Sequence, residues 1–488
     1  MALQKPNFVA APNVKILINI GATLDIATGF YVKGLHNESI LNGGLGICTG
    51  VVGIGNNFKS TILDYMMLSA ADRIMSMTET NINTYDTEIN IHEDRKRMFT
   101  QRFPTFKKMD ILQDGTWVIT DKTIYYANEM FEIMKEYLKN KRKSAKSIEV
   151  PTPFPDRTGV QPMMILAPTF QAIDSFTEFE TEDVAKIQDE NELGDSGGNT
   201  VHMRSGLAKT RFLMELPTLT GGSYHFTLLT AHIGKEIQMA SGPMPQAPVK
   251  KLQYLKNGDK VKGVTDKFFF LMSNCFQAYN AAPYINQGTK GPEFPRNSED
   301  NTKLDTDLNI VSLRQLRSKS GPSGVVFELI VSQSEGVLPE LTEFHLIREN
   351  SYYGLSGGNQ NYSLDLLPDV KLSRTSVRSK LDNNETLRRA MNITSEMCQM
   401  KLLWRTMEED LICTPKQLYD DLIQKGYDWS VLLATRGWWT VYNDQHPIPF
   451  LSTMDLLRMR LPDDHPNHYH PYWLEADKKT RKPGFHGI

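Results

Sequence analysis

The chain has 488 residues, 40% of them hydrophobic and 23% charged, the make-up of a globular protein with room for about two to four domains. No apolar run approaches the roughly 18 residues of a membrane helix and no secretory signal opens the chain, so no membrane partner is expected and the cytoplasm is the expected compartment. A formal net charge of −3 excludes a global basic field, though not a local basic loop that grips nucleic acid. Four scattered cysteines (Cys48, Cys275, Cys398, Cys413) argue against a disulfide frame or a zinc knuckle.

Short apolar runs and turns alternate as far as Leu45. Residues 46–52 read as a strand that runs into a Gly/Asn-rich turn, and 60–77 place Ile62, Leu63, Tyr65, Met66, Met67, Ala70, Ala71 and Ile74 at helical spacing. Strand, turn and helix in that order form the unit that phosphate loops use. Residues 81–85 read as a second strand ending in Asp86-Thr87-Glu88. An amphipathic helix follows over 125–139, and its basic end at 140–144 suits a solvated helix C-terminus better than a DNA patch. Residues 152–159 read as a turn-rich excursion, and 163–166 and 169–173 as strands, the second ending in Asp174-Ser175. Residues 178–195 read as an exposed loop, 205–216 as a helix and 224–231 as a buried strand. From 234 to 263 the chain carries Pro243, Pro245 and Pro248 with Lys235, Lys250, Lys251, Lys256, Lys260 and Lys262. A loop of that length inside a domain is usually functional or disordered. Residues 267–276 read as a strand, 286–306 as turn-rich, and 325–347 as two more strands. Beyond Asn359 the pattern turns helical over 374–400 and 414–435, and the tail from 444 is rich in Pro, His and aromatics.

The central motif is Gly53-Ile54-Gly55-Asn56-Asn57-Phe58-Lys59-Ser60-Thr61. It fits the P-loop pattern G-x-x-x-x-G-K-[ST] except at Phe58, which stands in place of the second glycine. Such a turn cradles phosphate oxygens with the backbone N–H groups of Gly53, Gly55, Asn56, Asn57, Phe58, Lys59, Ser60 and Thr61. Lys59 would neutralise the β/γ charge of ATP, and the Ser60 hydroxyl would ligate Mg²⁺.

Phe followed by Lys-Ser resembles the UvsX-type recombinases of bacteriophages within the RecA family. Five further segments resemble that family in the correct order: 20–29 its opening segment, Tyr85-Asp86-Thr87-Glu88 the strand end with the catalytic glutamate, and 172–175 the Walker B strand. Residues 192–196 with the helix after them resemble the first DNA-binding loop, and 227–232 the strand ending in a γ-phosphate-sensing residue. The resemblance implies an α/β fold: a RecA-like core with a central, mostly parallel sheet over 21–358, an N-terminal arm over 1–20 and a smaller, mainly helical C-terminal domain over 359–488. It assigns Glu88, Lys59 and His232 to catalysis, Ser60 and Asp174 to Mg²⁺, and loops near 180–204 and 234–263 to single-stranded DNA, with Lys235, Lys250, Lys251, Lys256, Lys260 and Lys262 gripping the backbone. Taken singly, Glu88 reads as a loop acid, Asp174-Ser175 as a helix N-cap and His232 as a structural histidine; their order along the chain reverses those readings. The only aromatic of the second loop is Tyr254, so backbone grip is expected rather than base reading.

The resemblance implies an ATP-dependent recombinase that forms a helical filament on single-stranded DNA, works with single-strand-binding or mediator proteins and resides in the host cytoplasm of a phage. The alternatives are a hexameric helicase ring sharing this core and a non-catalytic assembly protein with a degenerate nucleotide site. One departure stands out. By the best match, Ser332 and Ser334 stand where the family places two lysines that reach a neighbour's ATP, leaving Arg314, Arg317, Lys319 or Arg348 for that role. Phe8-Val9-Ala10-Ala11 matches an F-x-x-A docking pattern of eukaryotic recombinases. His465, His468 and His470 lie among Pro and Asp, with no cysteine nearby to complete a zinc site.

Overall fold

The coordinates are a computed structural model, which describes residues 12, 14–75, 80–190, 198–235, 253–256, 258–264, 267–301, 305–358, 360–404, 407–441 and 448–487. The fold is α/β, organised on one mixed sheet of ten strands. In chain order the strands are β1 (Cys48–Gly53), β2 (Ile82–Asp86), β3 (Trp117–Asp121), β4 (Thr169–Asp174), β5 (His225–Lys235), β6 (Asp259–Val261), β7 (Asn274–Pro283), β8 (Leu308–Ser318), β9 (Val326–Ser332) and β10 (Gly336–Val337). Their spatial order is β10-β9-β8-β7-β1-β5-β4-β2-β3, with β6 paired to β5. The six strands from β7 to β3 run parallel; β8, β9, β10 and β6 are antiparallel additions.

Every residue of β1 and β4 is buried, as parallel strands covered on both faces require. One face is covered by α1 (Lys59–Met75). Ile62, Leu63, Met66, Met67 and Ala70 of that helix pack with Val51, Phe170 and Phe226 in a single cluster. Helix α2 (Glu93–Thr100) stands at the carboxyl edge of the sheet, after the loop that follows β2. Helices α3 (Ala127–Lys143) and α4 (Gly198–Gly221) cover the second face of the sheet, packing Met130, Phe131, Met134, Phe212 and Leu216 against Val52, Ile173 and Leu229.

Four stretches differ from their sequence reading. Residues 149–155 form a strand, antiparallel to 162–166; a two-stranded ribbon leaves one edge free, where Pro151, Pro153 and Pro155 cost no ladder bond. Residues 182–190 form a helix, with Glu182 and Asp183 favoured by the dipole of its first turn and the Glu182 N–H donating to the Asn128 side chain at 3.0 Å. Residues 267–271 are a short helix, and the strand begins only at Asn274. The last stretch read as strand is α5 (Pro339–Glu349), which Pro339 initiates from its first turn.

The C-terminal part has a three-stranded sheet over 355–372, then α6 (Val377–Asn383), α7 (Glu385–Leu403) and three shorter helices. Most of its buried apolar side chains share one cluster with Ile26, Leu41, Phe294, Leu308 and Ile330, while Trp439, Val441 and Phe450 join the main core. The Trp439 indole donates to the Leu17 carbonyl at 3.1 Å, and the Asp455 carboxylate accepts from the Ser39 N–H at 2.8 Å. At the other terminus, Ile16, Ile18 and Ile20 lie inside the main core, while Phe8–Ala11 fall outside the described residues. No helix among the described residues is long and apolar enough to cross a membrane.

Candidate functional site

In open α/β sheets, ligands bind beyond the carboxyl ends of the parallel strands. Register sets which side chains meet there. Gly53 stands opposite Ala278 on one side and His232 on the other, and Asp86 stands opposite Asp174. A cleft of about 610 Å³ opens along this edge. The turn from Gly55 to Thr61, Glu88, Asp174 and His232 all line it, as do Lys96 and Phe99 of α2 and Gln333 from the turn after β9.

The turn from Gly53 to Thr61 is shaped from within. Asn56 and Phe58 have φ of 60° and 56°, so Phe58 adopts the left-handed conformation that the usual glycine takes freely, at a cost of about 1–2 kcal/mol. Its ring is partly buried against the main core, which offsets that cost. Gly53 itself tolerates no side chain, since a Cβ would lie 2.5 Å from the Ala278 carbonyl. The buried Asn57 amide donates to that same carbonyl at 3.0 Å and ties the turn to β7.

Lys59 begins α1, is buried, and donates from Nζ to the Ile54 carbonyl at 2.8 Å. Burial lowers its pKa, and the negative charges of Asp174 and Glu88 oppose that. Asp174 is 9% exposed and accepts from the Thr230 hydroxyl at 2.5 Å. The Glu88 carboxylate lies 2.8 Å from His232 Nε2 and accepts from the Asn90 amide at 3.0 Å. Burial pushes the Glu88 carboxyl up, but the hydrogen bond and charge of His232, together with Asn90, outweigh it and hold the group below its ordinary value.

Several contributors were not apparent from the sequence. Asp86, buried beneath the loop, accepts the N–H groups of Glu88 (3.0 Å), Ile89 (2.9 Å), Asn90 (2.8 Å) and Ile91 (2.8 Å). It thereby folds residues 87–91 around one carboxylate and fixes where Glu88 points. An aspartate opening a turn is the one signal that could have suggested this. Lys96 meets Asp64 of α1 at 2.5 Å, and both are buried in the cleft wall. Gln333 reaches the cleft only through tertiary folding and leaves no local signal.

The donor set fits a hydrated Mg²⁺. That ion keeps several waters and takes one or two protein ligands beside phosphate oxygens, and Ser60 and Asp174 provide a hydroxyl and a carboxylate in the same cleft. Among the described residues no three His, Cys, Asp or Glu side chains cluster as a metal cage. His465 lies 3.8 Å from Asp410, and His468 and His470 face the Leu461 and Leu474 carbonyls.

Of the six lysines assigned to DNA, Lys250 and Lys251 lie outside the described residues. Lys235 pairs with Asp259, while Lys256, Lys260 and Lys262 are exposed. Strand β6 returns along β5 from Ile233 to Lys235, and the Lys262 N–H donates to the His232 carbonyl at 2.7 Å, so the second loop springs directly from His232. Tyr254 is partly buried against the second-face core, and its carbonyl accepts from Arg314; it is an anchor of that loop rather than a free stacking ring. In the first loop region, residues 191–197 lie outside the described residues.

Ser332 and Ser334 both donate to Asp307, at 2.7 and 2.8 Å. Arg348 is bound to Glu293 at 2.7 Å. Arg317 and Lys319 stand at the far end of β8, which runs antiparallel to β7 and so finishes at the sheet edge opposite the cleft. No protein-family model matches this chain, and a search of curated proteins returns no match.

Proposed function

We propose that the chain is a DNA-dependent ATPase with a RecA-type P-loop core, similar to phage UvsX-type recombinases, which assembles on single-stranded DNA and promotes homologous pairing and strand exchange. The observation that carries this reading is the convergence of Lys59, Ser60, Glu88, Asp174 and His232 on one cleft. Phosphoryl transfer to water needs charge neutralisation, a metal and an oriented nucleophile. Backbone N–H groups of the turn and the Lys59 ammonium hold the β- and γ-phosphates. Mg²⁺ held by Ser60 and Asp174 would supply the remaining charge neutralisation. Glu88, ionised and aimed by Asp86 and His232, orients the attacking water and takes its proton. His232 bonds Glu88 and also begins the β5–β6 hairpin, so loss of the γ-phosphate can be passed to the DNA loop.

Arg317 and Lys319, at the sheet edge opposite the cleft, would reach the triphosphate of the next subunit in a head-to-tail assembly. They fill the role that Ser332 and Ser334 cannot, which favours the recombinase over an inert binder. The test is ATP turnover with and without single-stranded DNA. Lys59→Ala should abolish nucleotide binding, and Glu88→Gln should bind nucleotide yet turn over at least about 100-fold more slowly. Undiminished turnover in Glu88→Gln would refute the assignment. Electron micrographs with DNA and a non-hydrolysable ATP analogue should show helical filaments; closed rings would select the helicase reading instead.

A further inference from the structure

The turn between β9 and β10 is a wall of the chain's own cleft, and it is held with unusual care. Gln333 lines the cleft and donates to the Thr306 carbonyl at 2.7 Å. Asp307 gathers both flanking serines, accepting from Ser332 and Ser334 hydroxyls and from the Ser334 N–H at 2.9 Å. Glu335 receives three arginines from three separate parts of the chain. Arg102, just past α2, lies at 3.0 Å; Arg296, from the loop before β8, at 2.7 Å; and Arg378, on α6 of the C-terminal part, at 3.1 Å. Arg102 also reaches Glu340 at 3.4 Å and Asp382 of α6 at 3.2 Å.

None of these charged groups lines the cleft or takes part in the phosphate chemistry described above. Their placement is what matters. The two walls flanking the phosphate turn, Phe99 on α2 and Gln333, each lie within three residues of one member of the Arg102–Glu335 pair. Arg378 is 4% exposed and Glu335 24%, so these charges are poorly screened, and removing Glu335 leaves the buried Arg378 only Asp307, at 3.7 Å.

We propose that Glu335 is a positioning residue that sets the spacing of the two cleft walls, and that through Arg378 the C-terminal part governs how tightly the cleft holds nucleotide. This rests on the nucleotide reading above. With Glu335 neutral, Arg102 is left to Glu340 and Asp382, and Arg296 and Arg378 to the more distant Asp307 at 3.8 and 3.7 Å, so the charge that ties Arg102 to the β9–β10 turn is gone and the walls move apart. Asp174 and His232 lie on β4 and β5, and Glu88 is held by Asp86 of β2, so all three keep their places. Nucleotide affinity therefore falls while turnover at saturation does not.

The experiment titrates a fluorescent ATP analogue with Mg²⁺ onto the full chain and measures turnover at saturation. Glu335→Gln should raise Kd about tenfold with kcat within twofold of the unmodified chain, and Glu335→Asp should recover most of the affinity. Arg378→Met should shift Kd in the same direction. If Glu335→Gln does not fold, Arg296→Ala decides: half-exposed, it can be removed without opening the core, and it should raise Kd about threefold at unchanged melting temperature. A folded Glu335→Gln, or Arg296→Ala, with unchanged Kd overturns the proposal while leaving the nucleotide site standing. An unmodified chain that binds no nucleotide overturns both.

Discussion

Asp86 offers the sharpest test of the site, because it never faces the cleft. Its two oxygens accept four backbone N–H groups, two each, at 2.8–3.0 Å. In Asp86→Asn one oxygen becomes an NH₂ group, so two of those donors lose their acceptor and meet another donor. At about 1–1.5 kcal/mol for each partly buried donor left unmade, the present shape of residues 87–91 weakens by about 2–3 kcal/mol. At about 1.4 kcal/mol per tenfold, the equilibrium constant for holding Glu88 correctly aimed falls roughly thirty- to hundredfold. The phosphate turn hangs on β1, α1 and the Asn57–Ala278 bond, none of which touches Asp86. Steady-state ATP turnover should therefore drop, by up to roughly thirty- to hundredfold, while equilibrium binding of a fluorescent ATP analogue stays within about twofold. Full turnover in the variant refutes the argument, and so does an equal loss of turnover and affinity, which would mean that the loop binds rather than aims.

Three more outcomes follow from the same geometry. Because Glu88 is held below its ordinary value, turnover should stay level through neutral pH and fall only at or below the usual glutamate range, about 4.3. His232→Ala removes the hydrogen bond and charge that oppose burial, so the acid limb of the pH–rate profile should move to higher pH; a limb that stays or moves lower contradicts the assignment. Arg317→Ala/Lys319→Ala should leave nucleotide binding by the single chain intact and lower DNA-stimulated turnover at least about tenfold, read from turnover with and without DNA over a range of chain concentrations. Lys256→Ala/Lys260→Ala/Lys262→Ala should weaken single-stranded DNA binding at low salt and flatten its log–log salt dependence by about 2, since each backbone contact contributes about 0.7.

Much of the sheet was legible because its strands announce themselves. Residues 46–52 and 169–173 are short stretches, more apolar than their surroundings, between turn residues, consistent with strands buried on both faces, and both appear in the sheet. The helix after the phosphate turn was equally plain from its spacing. The misreadings share a cause: local composition was overruled by context. Prolines at 151–155 were tolerable only because the ribbon has a free edge. The acids of 182–190 marked a helix start, not a loop, and Phe268–Phe270 are too few residues for periodicity to separate helix from strand.

The residues of the phosphate motif and the order of Glu88, Asp174 and His232 behind it were written in the chain itself, since each chemistry demands a residue type at a strand end. What brought them into one cleft was the order of the strands, with β5 and β4 inserted between β1 and β2, a matter of long-range pairing that no local pattern encodes. The same holds for Gln333 at the cleft wall and for the arginines around Glu335. Arg102 alone reaches a partner 280 positions away, and only the folded backbone places such groups within reach of one another.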